Sequence, residues 1–210
     1  MIALDQLKTR IDSAVGGAQV QIIANDSAAN QPSLLVDVDH AAAVAQFLRD
    51  DPDLQFDYCS SATGVDWLDS VTKEKVKVKK TVDGVEKELD EVVERKKAGY
   101  LEVVYHLYSM ALKHGPLIVR QRTANRSDRA EVTSLTLVWR GCEFQEREAY
   151  DLYGIHFRGH PDQRRILMWE GFKDHPMRKD YVEPDDYEWE PTPHDEVLTR
   201  AKRHYPQQTA

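Results

Sequence analysis

The spacing of apolar residues in the first fifty positions predicts two helices and two short strands. Apolar side chains recur every three or four residues over residues 4–15, which is typical of an amphipathic helix, and a glycine pair ends that pattern. Residues 20–24 and 34–38 carry the alternating or continuous apolar positions of strands. Helical spacing returns over residues 39–50, and Asp39 is predicted to cap the N-terminus of this helix.

Longer strands are predicted in the middle of the chain. Residues 56–68 indicate a strand that bends near Gly64, and residues 100–108 alternate along an extended strand with apolar side chains on both faces. A turn over residues 114–116 leads into another strand over residues 117–122. The order of elements predicts an α+β fold, in which a small mixed sheet has helices packed on one face.

A highly charged segment interrupts these strands. Sixteen of the 26 residues from 73 to 98 are charged, nine basic and seven acidic. Its first part alternates with a period of two, and Asp83-Gly84 is a strong hairpin signal, whereas residues 85–93 fit a helix equally well. Such a charge run is typical of a solvated excursion, and an arm that binds a partner is the alternative.

The last third of the chain changes character at a glycine. Residues 143–153 predict a short helix that Gly154 ends, and almost no periodicity follows. Six of the nine prolines fall in the last fifty residues, together with several aromatic residues. Because disordered tails are poor in aromatic residues, we expect an extended chain that lies along a surface, either that of its own core or that of a neighbour. The predicted division is an α+β domain over residues 1–154, with the charged insertion at 73–98, and a tail over residues 155–210.

Composition excludes several classes of protein. The net charge of −8 argues against non-specific binding of nucleic acid, which needs a basic surface. Two cysteines cannot supply a four-thiolate cluster within one chain, so any redox cofactor is expected on another protein. No apolar run approaches the roughly 20 residues of a membrane-spanning helix, and early charged residues disfavour an export signal. A cytoplasmic protein is expected.

The helix over residues 143–153 carries the densest charge pattern. On a helix Arg147 lies four residues from both Glu143 and Asp151, which predicts a ladder of ion pairs. Three interpretations remain open: an exposed charged face, a ladder that fixes orientation at an interface, or a pair of carboxylates that acts as general acid and base.

The loop after this helix carries histidines and arginines. His156 and His160 have the spacing of zinc ligands on a helix, but the neighbouring glycines and Pro161 disfavour a helix there. The remaining interpretation is a basic loop, whose arginines bind carboxylates or carbonyl groups of a partner or cap the chain's own acidic helix. Its members are Arg158, His160, Arg164 and Arg165.

Several ordered blocks of the sequence resemble one known family. Residues 146–167 read EREAYDLYGIHFRGHPDQRRIL, and residues 175–181 read HPMRKDY. Residues 56–67 read FDYCSSATGVDW, and residues 101–110 read LEVVYHLYSM. Together these blocks resemble the C subunit of the proton-pumping NADH-quinone oxidoreductase, respiratory complex I.

The resemblance implies a function as well as a fold. It implies a non-catalytic structural subunit of the peripheral arm, which scaffolds the quinone-binding and iron–sulfur subunits during electron transfer from NADH to quinone. No cofactor is expected on this chain, since FMN and the iron–sulfur clusters belong to partner subunits. The chain is expected on the cytoplasmic side of the cell inner membrane, held there by its partners. Residues 73–98 are longer and more charged than the family's usual connection.

Interface residues follow from the charged positions inside the resembling blocks. We expect partner contacts from Glu146, Arg147, Glu148, Asp151, His160, Arg164, Arg165, Arg178, Lys179 and Asp180. One alternative keeps the fold but places the chain in a membrane-bound hydrogenase or a ferredoxin-linked dehydrogenase. The other alternative is a free-standing metal hydrolase that uses His156, His160 and Asp162.

Overall fold

The computed structural model describes residues 3–25, 27–82, 85–127 and 129–182 of the 210-residue chain. Three helices and nine strands lie within these residues. The helices are α1 Leu4–Ala14, α2 Ala41–Asp50 and α3 Glu143–Tyr153, and a 3-10 turn, Arg140–Cys142, precedes α3. The strands are β1 Val20–Ile23, β2 Ser33–Val36, β3 Tyr58–Trp67, β4 Ser70–Val82, β5 Val85–Lys97, β6 Tyr100–Ser109, β7 His114–Arg122, β8 Glu131–Thr133 and β9 His156–Arg158.

A five-stranded mixed sheet forms the centre of the molecule. Its strand order is β1-β2-β7-β6-β3, in which β2 and β7 are parallel and the other neighbours are antiparallel. Apolar side chains on one face of this sheet form a single core with the helices, including Ile11 of α1 and Leu48 of α2. Tyr105 of β6 is completely buried there. The predicted α+β fold with helices on one face of a small mixed sheet is confirmed.

The opposite side of the sheet, called here the open face, carries the other half of each alternating pattern. One row crosses all five strands through directly paired residues: Thr63, Val104, Arg120, Leu35 and Gln21. Thr63 and Gln21 are exposed, and the other three are half-buried. Residues that alternate with this row lie in the core.

Two features predicted for these strands, a turn and a bend, lie elsewhere in the structure. The turn between β6 and β7 occupies residues 110–113, so the predicted turn at 114–116 is wrong, and His114 already begins β7. The irregularity in β3 lies between Cys59 and Ser61 rather than near Gly64. Gly64 has another role, since a Cβ atom there would lie 2.5 Å from the Tyr153 ring of α3. Glycine therefore permits the close approach of α3 to β3.

The charged segment is a pair of antiparallel strands, so the helical alternative for residues 85–93 is wrong. β4 and β5 pair with each other over thirteen residue pairs, from Ser70 opposite Lys97 to Val82 opposite Val85. They form a two-stranded sheet of their own. The predicted turn residues 83 and 84 lie outside the described residues, and a partner-binding role for this segment stays a prediction.

The core extends past the predicted domain boundary at residue 154. Ile155 and Phe157 are almost completely buried, and β9 pairs in parallel with β8. A strand of three residues is too short to show a periodic pattern, so β9 could not be predicted from local sequence. Its partner strand β8 lies 25 residues earlier in the chain. Of the predicted tail, residues 155–182 are described.

Candidate functional site

Helix α3 is the element on which the predicted site residues converge. Its sequence places Glu146, Arg147, Ala149 and Asp151 in buried positions, whereas Glu148 is exposed. Gly154 ends the helix in the left-handed conformation, with φ of +71°, as the sequence predicts. Three charged side chains of α3 are thus buried, and each of them needs hydrogen-bond or ion-pair partners in the surrounding chain.

Glu146 is completely buried and accepts four hydrogen bonds within the chain. Its donors are the hydroxyl groups of Ser134, Thr136 and Tyr105, at 2.5, 2.9 and 3.1 Å, and the backbone N–H of Leu135 at 2.8 Å. Burial raises the pKa of Glu146 above its ordinary value of 4.5, although the donors oppose this shift. The carboxyl group joins α3 to β6 and to the loop after β8.

Asp151 is completely buried at the other end of α3 and binds the tail. Its Oδ2 accepts the backbone N–H groups of Ile166, Leu167 and Met168 at 3.0, 2.7 and 2.8 Å, and its Oδ1 accepts Nη1 of Arg165 at 2.5 Å. Burial raises the pKa of Asp151, but these hydrogen bonds prevail and hold it below its ordinary value of 3.8. An ionised carboxylate therefore organises one turn of the tail.

Arg147 also binds the tail. Its guanidinium donates to the carbonyl oxygens of Arg164 and Arg165 at 3.1 and 3.3 Å and lies 3.7 Å from a carboxylate oxygen of Asp162. Glu143, the other member of the predicted ladder, lies 3.9 Å from Arg140. Each member of the predicted i,i+4 ladder thus pairs with a residue outside it.

Side chains of the tail satisfy the carbonyl groups that the end of α3 leaves free. Nη1 of Arg165 and Nδ1 of His175 lie 3.2 and 3.0 Å from the carbonyl oxygen of Asp151, and Nε of Arg178 donates to that of Tyr153 at 2.7 Å. Cations at a helix C-terminus also interact favourably with the helix dipole. The interpretation that the basic loop caps the chain's own acidic helix is therefore correct for Arg165.

A second contact ties the tail to β3. Arg126 donates to both carboxylate oxygens of Asp66 at 2.6 and 2.8 Å and to Asp180 at 2.8 Å. The backbone N–H of Lys179 donates to Asp66 at 2.8 Å. Arg126 and Asp66 were not among the predicted site residues, because sixty residues separate them and no periodicity relates them.

The remaining predicted site residues lie at the surface of this region. Arg164 and Asp162 form an exposed ion pair at 2.7 Å, and Glu148 is exposed. His160 lies 3.1 Å from the carbonyl oxygen of Glu143. Glu146 and Asp151 act on the chain's own fold in this structure, and the partner contacts of the set stay a prediction.

The residues of the proposed hydrolase site have separate partners. Nδ1 of His156 lies 3.4 Å from the Gln163 amide, whereas Nδ1 of His160 accepts the backbone N–H of Asp162 at 3.0 Å. Within the described ranges, no group of three or more histidine, cysteine or acidic residues is arranged to hold a metal ion.

The two cysteines are free thiols in adjacent buried positions. The hydrogen bond from Cys142 lowers the pKa of Cys59, and the same bond together with burial raises the pKa of Cys142. The pair lies between the irregular part of β3 and the start of α3, and it contributes to their packing.

Comparison with solved structures supports the fold. The chain matches a chain of the membrane-bound sulfane sulfur reductase, an archaeal respiratory membrane complex, over 98% of its length and 92% of that chain, with a TM-score of 0.53 and 17% identity. At this identity the match concerns the fold alone.

Curated relatives are much more similar in sequence. The chain is 39% identical to the second C subunit of the NADH-quinone oxidoreductase of Rhizobium etli over 65% of its length and 56% of that protein. It is 36% identical to the C subunit of the NADH-quinone oxidoreductase of Coxiella burnetii over 68% of its length and 63% of that protein. The chain therefore spans less than two thirds of each of these relatives.

None of the helices in the part that the structure describes is both long and apolar enough to cross a membrane.

A family model covers most of the chain. The model described as the respiratory-chain NADH dehydrogenase, 30 Kd subunit, matches residues 34–187, which include most of the sheet, α3 and the described tail contacts. Since this match spans well over half of the sequence, the chain belongs to the family of the 30 Kd subunit of respiratory-chain NADH dehydrogenase.

Proposed function

We propose that this chain is a non-catalytic structural subunit in the peripheral arm of a proton-translocating NADH-quinone oxidoreductase. Its role is to hold the quinone-binding and iron–sulfur subunits in place while electrons pass from NADH to quinone. FMN and the clusters reside on those partners, which also keep this chain at the cytoplasmic side of the inner membrane. The family match over residues 34–187 carries the proposal.

The distribution of charge and apolar surface around α3 supports a scaffolding role. The buried carboxylates of Glu146 and Asp151 accept hydrogen bonds from groups of the same chain. Large apolar side chains from the same region are instead exposed by 38 to 82% of their surface, namely Leu137, Phe144, Ile166, Leu167, Met177 and Val182. Exposed apolar surface beside a rigid polar framework is typical of a protein–protein interface.

The tail provides the second support. Arg165, Arg147 and Arg126 fix residues 162–180 against α3 and β3 through backbone and carboxylate contacts. A segment that has no helices or strands of its own after β9 thereby receives a defined path, so the same apolar side chains are presented in one arrangement. A fixed arrangement lowers the entropy lost when partner subunits bind.

Assembly of the complex is the direct test. A tagged full-length chain is isolated from membranes of the source organism, and co-purifying subunits are identified by mass spectrometry. We expect the other subunits of an NADH-quinone oxidoreductase to be recovered. Co-purification with no such subunit would contradict the proposal.

Two arginines near opposite ends of α3 supply a matched pair of variants. Arg165→Ala removes the bond to buried Asp151, whereas Arg140→Ala removes only a 3.9 Å contact between a largely exposed arginine and Glu143. We expect Arg165→Ala to lower the amount of assembled complex and Arg140→Ala to leave it unchanged, with the quinone KM of the remaining complex unaltered. Normal assembly of Arg165→Ala with a selective rise in quinone KM would argue for a direct role at the quinone site.

A further inference from the structure

The open face of the central sheet is chemically distinct from the rest of the surface. All three helices pack against the opposite face, where their buried residues share one core with the sheet. On the open face the row that contains Thr63, Val104 and Arg120 is exposed or half-buried along its whole length. Within the part of the chain that the structure describes, this face has no covering helix.

Aromatic side chains frame the open face. Tyr58 and Trp67 of β3 are 49% and 42% exposed, and the register pairs them with Tyr108 and Tyr100 of β6. Trp67 and Tyr100 stack with ring centroids 6.1 Å apart. Tyrosine, tryptophan and arginine are enriched at the centres of protein interfaces, and the two aromatic residues bury a large area at a small entropic cost.

Two arginines share one carboxylate in the middle of this face. Nε of Arg122 donates to Glu102 at 2.8 Å, and Nη1 of Arg120 lies 3.5 Å from the same carboxylate. Glu102 is completely buried, and it is the one acidic residue that the described register of β1, β2, β3, β6 and β7 places on this face. Asp37, just after β2, lines a cavity with Arg122, but its Oδ2 pairs with Nδ1 of His40 at 2.6 Å. The cluster of Arg120, Arg122 and Glu102 therefore carries one excess positive charge.

Polar atoms next to Arg120 lack partners. Nε of Arg120 and Nδ1 of His106 are buried and have no hydrogen-bond partner within the described residues. His106 is paired with Ile118, two residues from Arg120, so the two side chains are diagonal neighbours on adjacent strands. Burial and the charge of Arg120 both lower the pKa of His106, which keeps the imidazole neutral beside the cation.

We propose that the open face docks an acidic segment of a neighbouring subunit, with a carboxylate of that segment bound to the guanidinium of Arg120. The side chain of Arg120 is 19% exposed, and a carboxylate complements the extra positive charge of the cluster. The surrounding aromatic side chains provide the apolar contact area of the interface. This inference rests on the proposed function, because it requires that the chain is part of a complex.

Photo-crosslinking within the assembled complex tests this surface. The photoreactive amino acid p-benzoylphenylalanine replaces Thr63, an exposed residue in the same row as Arg120, and the complex is purified and irradiated. We expect a crosslink to a segment rich in Asp and Glu on another subunit, identified by mass spectrometry. The same amino acid at Ser13, an exposed position of α1 in the helix layer, should not give this crosslink.

Charge variants decide whether the contact is electrostatic. In the Thr63 photoprobe background, Arg120→Gln should lower the crosslink yield by about tenfold, whereas Arg120→Lys should retain most of it. Thermal unfolding of each variant verifies that it is folded, and Arg122 remains available to neutralise Glu102 in both.

Three results in a correctly assembled complex would overturn the inference. They are the absence of any crosslink, a crosslink to a segment without excess negative charge, and a crosslink to the acidic residues 183–190 of this same chain. Failure of the chain to co-purify with any oxidoreductase subunit would instead overturn the proposed function, and this inference with it.

Discussion

Nη1 of Arg165 lies 2.5 Å from Oδ1 of Asp151, and this ion pair is the centre of the contact between the tail and α3. Asp151 is completely buried, and its second carboxylate oxygen accepts three consecutive backbone N–H groups of the tail. Fourteen residues separate the two partners, so the pair closes a loop that includes β9. The path of the tail therefore depends on one carboxylate.

Asp151→Asn should destabilise the protein by about 3 kcal/mol, because the half-buried Arg165 and three backbone N–H groups lose their ionised acceptor. Urea unfolding at neutral pH measures this change. Glu148→Gln, on the exposed side of the same helix, is the control and should change stability by less than about 0.5 kcal/mol. Equal stability of both variants would show that the carboxylate does not hold the tail.

The two buried carboxylates of α3 should have opposite effects on the pH dependence of stability. The pKa of Asp151 is lowered in the folded state, so its stabilising contribution is present above about pH 4 and is lost as the pH falls through the folded pKa. The pKa of Glu146 is raised, so its contribution is present below about pH 4.5 and is lost as the pH rises through the folded pKa.

Unfolding free energies of the wild type, Asp151→Asn and Glu146→Gln between about pH 3 and pH 7 separate these effects. The advantage of the wild type over Asp151→Asn should shrink as the pH falls below about 4. The wild type should lose stability relative to Glu146→Gln as the pH rises above about 4.5. The same sign of change for both variants would contradict the assignment.

Gly154→Ala should cost about 1–3 kcal/mol and loosen the tail. Gly154 has φ of +71°, and a Cβ atom there would collide with the His175 ring and approach Arg178, both of which cap α3. Gly16→Ala is a suitable control, since no atom lies within 4 Å of its Cβ position. Thermal unfolding together with trypsin cleavage after Arg178 measures both effects, and equal behaviour of the two variants would refute this role of Gly154.

Arg126→Ala should release the tail from β3. Asp66 is 3% exposed and would lose both of its arginine hydrogen bonds, with an expected cost of about 3 kcal/mol. Trypsin should then cleave after Arg178 and Lys179 faster than in the wild type. Arg129→Ala removes an exposed arginine and one trypsin site in the same loop, so it controls for the lost cleavage site. Unchanged cleavage in Arg126→Ala would mean that the contact to Asp180 is not needed for docking.

Local patterns were sufficient for most helices and strands. The three helices fall where apolar spacing predicts them, and α3 ends at Gly154 because glycine adopts the left-handed conformation without strain. The pattern of residues 85–93 fits a helix and a strand equally well, so local spacing does not decide their structure. Pairing with β4 makes them a strand. β9 was not predicted, since three residues carry too little periodicity.

Only part of the candidate site could be predicted from the sequence. The charged positions of α3 and the tail pointed to the right region, but the ladder assigned to Arg147 does not form. Spacing along a helix predicts which side chains are neighbours on an exposed surface. In this protein Arg147 and Asp151 are buried, and the groups that need hydrogen bonds are backbone atoms of a distant segment, which leave no mark in local spacing.

Periodicity and ordered motifs are local features, so the α+β class, the positions of the three helices and the family could all be predicted from the residues alone. The direction in which each charged side chain points depends on partners that are distant in the sequence. Asp66 meets Arg126 and Asp151 meets Arg165 across 60 and 14 residues, and a buried carboxylate is stable only when such partners surround it. Arg120 and Arg122 share a face because alternate residues of a strand do, but only the strand register places Glu102 of β6 opposite Arg122 and beside Arg120.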